Sequence, residues 1–211
     1  RSCVLHADSA GIRAGQIARD RLVGEGVTRI IAGACRGRRL TVPPGRDTRP
    51  TSDRVREAMF STIESELGPL SGLHVVDLYA GSGALGLEAL SRGAEHALLV
   101  ESEPRAVRAI RTNVAALGLP AEVIHASVAR TLAGPVLRPY DLALADPPYD
   151  LSDSELTAVL SQLSERWLHP DALVVVERSA RIAALLWPDG LTGIKHRRYG
   201  DTMLWYGRSA E

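Results

Sequence analysis

The chain has 211 residues, in which 25 Lys+Arg balance 25 Asp+Glu, 45% are hydrophobic and 24% are charged. This is the composition of an ordinary globule able to bury roughly 70% of the surface its unfolded form exposes, and it excludes fibrous, collagen-like and disordered classes. No apolar run approaches the roughly 20 residues of a membrane helix, no secretory signal is readable, and Cys3 and Cys35 supply neither a disulfide framework nor a zinc site; a metal-free cytoplasmic protein is expected.

The neutral total hides a separation of charge. Residues 1–60 carry 12 Arg against 6 acids, residues 61–160 carry 6 Arg against 13 acids, and residues 161–211 carry 7 basic against 6 acidic groups. A net charge of zero is therefore no argument against a nucleic-acid partner.

Residues 1–27 show no sustained period and are read as a disordered tail or extension. Thr28–Ala32 and Arg38–Val42 are strand-like runs around the turn-prone Gly33–Gly37 segment and predict a hairpin, ended by Pro43-Pro44-Gly45. Thr51 or Ser52 then caps a helix whose Val55, Met59, Ile63 and Leu67 recur every four positions until Gly68-Pro69 stops it; Arg54 and Arg56 lie off that stripe. Residues 28–70 are thus expected to form a basic arm of hairpin and helix, with eight Arg and two Asp between residues 28 and 56.

From Leu73 onward strands and helices alternate, which predicts a parallel sheet covered on both faces over residues 71–211. The expected elements are strand His74–Tyr79, helix Ala84–Ser91, strand His96–Glu101, a helix opened by Pro104 and stopped by Gly118, and strands Glu122–His125 and Tyr140–Ala145. Helix Ser152–Trp167 and strand Ala172–Glu177 follow. Thr192–Arg198 and Thr202–Tyr206, around Tyr199-Gly200-Asp201, predict a hairpin, so at least one late strand is antiparallel. The fold class is α/β: a mostly parallel seven-stranded sheet, helices on both faces, and an antiparallel C-terminal hairpin.

Two motifs carry chemistry. Asp77-Leu78-Tyr79-Ala80-Gly81-Ser82-Gly83 follows a strand and opens a helix, where glycines let the backbone turn sharply and approach a ligand. Gly81-x-Gly83-x-x-Gly86 also fits a dinucleotide fingerprint, with Glu101 at the end of the next strand placed to grip a ribose. The glycine pattern alone does not choose between a nicotinamide cofactor and S-adenosylmethionine. Asp77 favours the latter, because a carboxylate beside the loop suits a cationic ligand and repels a pyrophosphate. The second motif, Asp146-Pro147-Pro148-Tyr149, ends the fourth strand on the edge where α/β folds place ligands. Asp146 and a carbonyl held by the prolines can accept the two N–H groups of a base's amino group and direct its lone pair, and Tyr149 can stack on that base.

Together these residues resemble class I S-adenosylmethionine-dependent methyltransferases of amino nitrogens. More closely, the chain is similar to the RsmD family of bacterial 16S rRNA guanine-N2 methyltransferases. That resemblance runs from about Arg29 to Tyr206 through Arg29-Ile30-Ile31-Ala32-Gly33, Arg36-Gly37-Arg38, Arg49-Pro50-Thr51, Asp53–Glu57, Asp77–Leu90, Asp146–Tyr149 and Arg198-Tyr199-Gly200.

It implies a Rossmann-like fold and S-adenosyl-L-methionine as methyl donor. The Ala80–Gly83 loop (Ala80, Gly81, Ser82, Gly83) would wrap the donor's methionine part and Glu101 would hold its ribose, with Asp77, Tyr79, Ser102 and Asp146 also in the donor site, and Asp146–Tyr149 would hold the guanine. At the adenine-binding position, where many methyltransferases have an acidic or amide side chain, this chain has Ser127. The family's target is one guanine, at position 966, in the small ribosomal subunit or an assembly intermediate. The arm arginines Arg29, Arg36, Arg38, Arg39, Arg49, Arg54 and Arg56 are expected on rRNA phosphates, and the protein is expected to be a monomer. The alternatives are an adenine-N6 methyltransferase of DNA or RNA, a nicotinamide oxidoreductase, and a purely RNA-binding protein supported by the arm alone.

Overall fold

The computed structural model describes residues 28–43, 52–182 and 184–210. The expected tail over residues 1–27, and Arg49 and Thr51 of the arm, lie outside the described residues. In chain order the elements are α1 Asp53–Leu67, β1 His74–Leu78, α2 Ala84–Ser91, β2 His96–Glu101, α3 Pro104–Leu117 and β3 Ala121–His125. They continue with α4 Val128–Leu132, β4 Tyr140–Ala145, α5 Asp153–Arg166, β5 Leu168–Ser179, β6 Leu191–Tyr199 and β7 Thr202–Ser209.

The strands form one seven-stranded sheet in the order β3-β2-β1-β4-β5-β7-β6. β1 pairs in parallel with β2 and β4, β2 with β3, and β4 with β5, while β7 is antiparallel to both β5 and β6. The order reverses between β1 and β4, so their carboxyl ends border the crevice where open α/β sheets bind ligands.

Two-residue periodicity sorts each strand's side chains into two cores. Val75, Leu99, Leu142, Leu144, Leu173 and Val175 pack on one face with residues of α1 and α2, and Val76, Leu98, Val100, Ala143, Val174 and Val176 on the other with Leu156, Leu160 and Leu163 of α5. Ile30, Leu40, Val55, Met59, Phe60 and Ile63 join the first of these cores, so the basic arm shares the interior of the sheet.

The expected hairpin is reduced to one antiparallel bridge, Arg29 to Arg39, with Ile30 N–H donating to Arg38 O at 2.9 Å and Leu40 N–H to Thr28 O at 2.8 Å. The ladder stops there because the next N–H groups, of Ile31 and Ala32, donate instead to the buried Glu88 carboxylate at 2.7 and 3.0 Å. The turn then docks on the end of α2: Ala34 N–H donates to Ser91 O at 2.7 Å, and Cys35 N–H to Ser91 Oγ at 2.9 Å. Gly33, at φ 77°, allows this approach, since a Cβ there would lie 1.7 Å from Ser91 O. Arg92 completes the seam, its guanidinium donating to Glu88, Glu64 and Glu57 and lying 4.9 Å over the Phe60 ring.

Several elements differ from expectation, β7 for one running on to Ser209. α4, capped by Ser127, was not foreseen. β5 begins at Leu168 rather than Ala172, and β1 ends at Leu78 because Tyr79 has φ 65°. Among the described residues no helix is long and apolar enough to cross a membrane.

Candidate active site

The parallel register sets Leu78 opposite Val100 on one side and Ala145 on the other, so Tyr79, Glu101 and Asp146 follow at one level across β1, β2 and β4. Asp77 lies two residues below Tyr79. Burial pushes its carboxyl up to about 7; the Gly86 N–H bond opposes this, and the charges of Asp146 and Glu101 add to it. Three carboxyl groups therefore share one field at the crevice.

Asp77 does not sit beside the loop as expected. It is 1% exposed, and its Oδ2 accepts the Gly86 N–H at 2.9 Å, so it braces the strand-to-helix turn from beneath. Its first influence on a ligand is through its field. Gly86 makes that packing possible, because a Cβ there would come within 2.2 Å of Leu99 Cδ2.

Above Asp77 the chain winds tightly. Ala80 N–H donates to Val100 O at 2.9 Å and Gly83 N–H to Ala80 O at 2.6 Å. Gly81 and Gly83 have φ 58° and 81°, and Gly83 caps α2 without any side-chain bond of its own, the Gly86 N–H of the first turn being taken by Asp77. Tyr79 adopts the left-handed region without being glycine, a conformation costing of order 1–3 kcal/mol that recurs at functional sites. Burial, with the Glu155 charge, pushes its phenol up to about 12, so it is a neutral hydroxyl at physiological pH.

Glu101, 3% exposed, binds two loops together. Its Oε2 accepts Gly81 N–H, and its Oε1 accepts the N–H groups of Ser102 and Glu103, each at 2.8 Å. His125 Nε2 meets Ser102 O at 3.2 Å. Ser127 is exposed beside this edge and its Oγ accepts Arg130 N–H at 3.3 Å, capping α4; that cap does not use the hydroxyl proton. Asp146 and Tyr149 are exposed at the end of β4, Pro147 is buried between them, and Leu151 N–H closes a turn onto Pro148 O at 3.0 Å.

One residue absent from the sequence reading is Asn113 of α3, 2% exposed. Its Nδ2 donates to Ser82 O and Thr41 O, both at 2.9 Å, and its Oδ1 accepts Thr41 N–H at 2.8 Å. A lone Asn in an amphipathic helix gives no sequence signal for such a role.

The arm arginines divide. Arg36, Arg39 and Arg54 are exposed. Arg29 is exposed and pairs with Asp53 at 2.8 Å, and Arg38 donates to Ala116 O at 2.8 Å near the end of α3. Arg56 is corrected. It is 1% exposed, and its Nη2 donates to Arg29 O at 2.7 Å and Asp53 Oδ1 at 2.8 Å, so it holds α1 to the arm and cannot reach a phosphate. Among the described residues no group of three or more His, Cys, Asp or Glu is placed to hold a metal ion.

Sheet order, glycine loop and strand-end carboxylates define a Rossmann-like methyltransferase. The chain belongs to the family described as conserved hypothetical protein 95, whose model matches residues 28–208. Among its relatives is the ribosomal RNA small subunit methyltransferase D of Haemophilus influenzae, 34% identical over 83% of this chain and 91% of that protein. Its namesake in Escherichia coli K12 is 38% identical over 73% of this chain and 76% of its own length. A solved Escherichia coli structure, provisionally named a methyltransferase, superposes with a TM-score of 0.77 at 30% identity, covering 88% of this chain and 99% of that one.

Proposed function

We propose that this protein transfers a methyl group from S-adenosyl-L-methionine to the exocyclic N2 of a guanine in 16S rRNA, within the small ribosomal subunit or an assembly intermediate. The observation that carries the reading is the level arrangement of Tyr79, Glu101 and Asp146, with Asp146-Pro147-Pro148-Tyr149 opening on the same crevice. The names of the relatives support rRNA of the small subunit as substrate. The family resemblance favours position 966, a monomer and a cytoplasmic setting.

The donor fits the residues present. Gly81 and Gly83 keep side chains out of the turn, and the acidic cluster of Asp77, Glu101 and Asp146 suits a cation and opposes the pyrophosphate of a nicotinamide cofactor. Bound there, the donor supplies an electrophilic methyl group on a positively charged sulfur. Ala80–Gly83 would cradle its methionine part, Glu101 and Ser102 its ribose, and Ser127 its adenine edge. Asp146 and a carbonyl beside the prolines accept the guanine amino protons, aim the nitrogen lone pair and stabilise the charge that develops there. Tyr149 stacks on the base. The surplus proton leaves the methylated nitrogen without a dedicated base, being strongly acidic at that stage. Arg29, Arg36, Arg38, Arg39, Arg49 and Arg54 meet rRNA phosphates.

The test is transfer of tritiated methyl groups onto small subunits lacking the mark, onto free rRNA and onto DNA, followed by mapping of the modified base. Labelled N2 of one guanine is the expected outcome. Label on an adenine N6, or on DNA alone, would refute it.

A further inference from the structure

Helix α3 lies in the acidic stretch of the chain, yet it contains Arg105, Arg108 and Arg111 and no acidic residue. Arg105, Arg108, Ala109 and Thr112 have the spacing of a single helix face. They line a cleft of about 340 Å³ whose other wall is Thr41, Val42 and Pro43 of the arm. Arg111 points off that face. Arg105 and Arg108 are exposed, and among the described residues neither guanidinium has a carboxylate partner.

The chemistry of the cleft is that of a site for a phosphodiester. Its charged groups are two guanidinium forks, which match phosphate oxygens in pairs. Val42, Pro43 and Ala109 offer apolar contact to a sugar, and among the described residues no acid lines it. Its location ties it to the reaction. Arg105 is four residues beyond Glu101, so the cleft opens next to the donor edge, and its Thr41 wall is hydrogen-bonded through Asn113 to Ser82 of the glycine loop. It also continues the exposed basic surface of the arm.

We infer that the cleft between Thr41–Pro43 and α3 seats the backbone of the rRNA strand flanking the target guanine, with Arg105 and Arg108 on its phosphates. This rests on the function proposed above. The acidic crevice repels phosphate, so a strand delivering a base into it needs a cationic hold immediately outside, and this cleft supplies one.

The experiment compares the full-length wild type, Arg105→Ala/Arg108→Ala and Arg111→Ala. Binding to methyl-deficient small subunits is measured between about 50 and 200 mM salt, the range over which phosphate contacts are most clearly read. KM for subunits, affinity for S-adenosylmethionine by calorimetry, and Tm are measured in parallel. The cleft variant should flatten the slope of log K against log salt by about 1.4, two single-strand phosphate contacts of about 0.7 each, and raise KM. Its donor affinity and Tm should match those of the wild type. Arg111→Ala, which removes a charge from the same helix outside the cleft, should keep the wild-type slope. A wild-type slope in the cleft variant overturns the inference, as does equal flattening per charge in Arg111→Ala or a loss of donor affinity in the cleft variant. If the wild type itself neither binds nor methylates subunits, the proposed function falls, and the inference falls with it.

Discussion

The side-chain amide of Asn113 donates to the main-chain carbonyl of Ser82 at 2.9 Å, so a residue in α3 holds the turn of the glycine loop. The same amide group grips Thr41 through both of its main-chain polar atoms. Asn113→Ala removes the partner of three main-chain groups; Thr41 is exposed and Ser82 half-buried, so water replaces part of what is lost, and a decrease of about 1–3 kcal/mol in urea unfolding is expected. Affinity for the donor should fall too, since Ser82 is no longer positioned. Full donor affinity with reduced stability would mean that the amide serves the arm alone.

Asp146 stands at the level of Glu101 but outside the loop that Glu101 ties together. Asp146→Ala is therefore expected to bind S-adenosylmethionine nearly as the wild type does, while single-turnover methyl transfer drops by about 10²–10³, the usual cost of removing one preorganised polar group. Turnover within a few-fold of wild type would remove Asp146 from the mechanism.

Asp77 gives a pH signature. Its carboxyl is raised from 3.8 to about 7 in the folded protein, so between those values the native state holds a proton that the unfolded chain releases. Stability from this group is greatest at low pH and is lost as pH rises through about 7, with a ceiling of about 4 kcal/mol for three pH units. Asp77→Asn keeps an acceptor for Gly86 and cannot ionise. Relative to wild type, its Tm should improve from pH 4 to about pH 7 and level off above it; a difference that does not change with pH would contradict the assignment.

The arm's exposed cations are expected to act mainly on substrate. Arg36→Glu/Arg39→Glu changes two exposed residues and spares Arg38, which bonds Ala116. Subunit binding should weaken and lose salt dependence, with calorimetric donor affinity held. Arg56→Ala should do the opposite: it removes a buried guanidinium from Arg29 O and from Asp53, which keeps Arg29 as a partner, and loses stability of about 1–3 kcal/mol, the range for a hydrogen-bonding group deprived of its partner. An Arg56→Ala protein with wild-type Tm would sink the structural role given to it.

Much of this was legible because periodicity and punctuation agree. His96–Glu101, Tyr140–Ala145 and Ala84–Ser91 emerge with their expected bounds, flanked by Gly or Pro signals and filled with apolar residues. What escaped depends on tertiary contacts. Arg56 reads as surface because the Val55–Leu67 stripe marks one face of α1, whereas the arm covers a second face through Arg29. Glu88 carries no sequence signal, because its partners are main-chain N–H groups 56 and 57 residues away. Helix α4 has only five residues, too few to establish a period. Asp77 was found by its place in a motif, but its burial follows from α2 lying over β1.

Helix α2 has only eight residues, about 12 Å of rise. Its first turn starts at the glycine loop and its last holds the arm through Glu88 and Ser91. The two ends of so short a rod move together, so a tilt of the arm is expected to displace the loop. On the proposed function, a substrate held by the arm would thereby also adjust the seat of the donor.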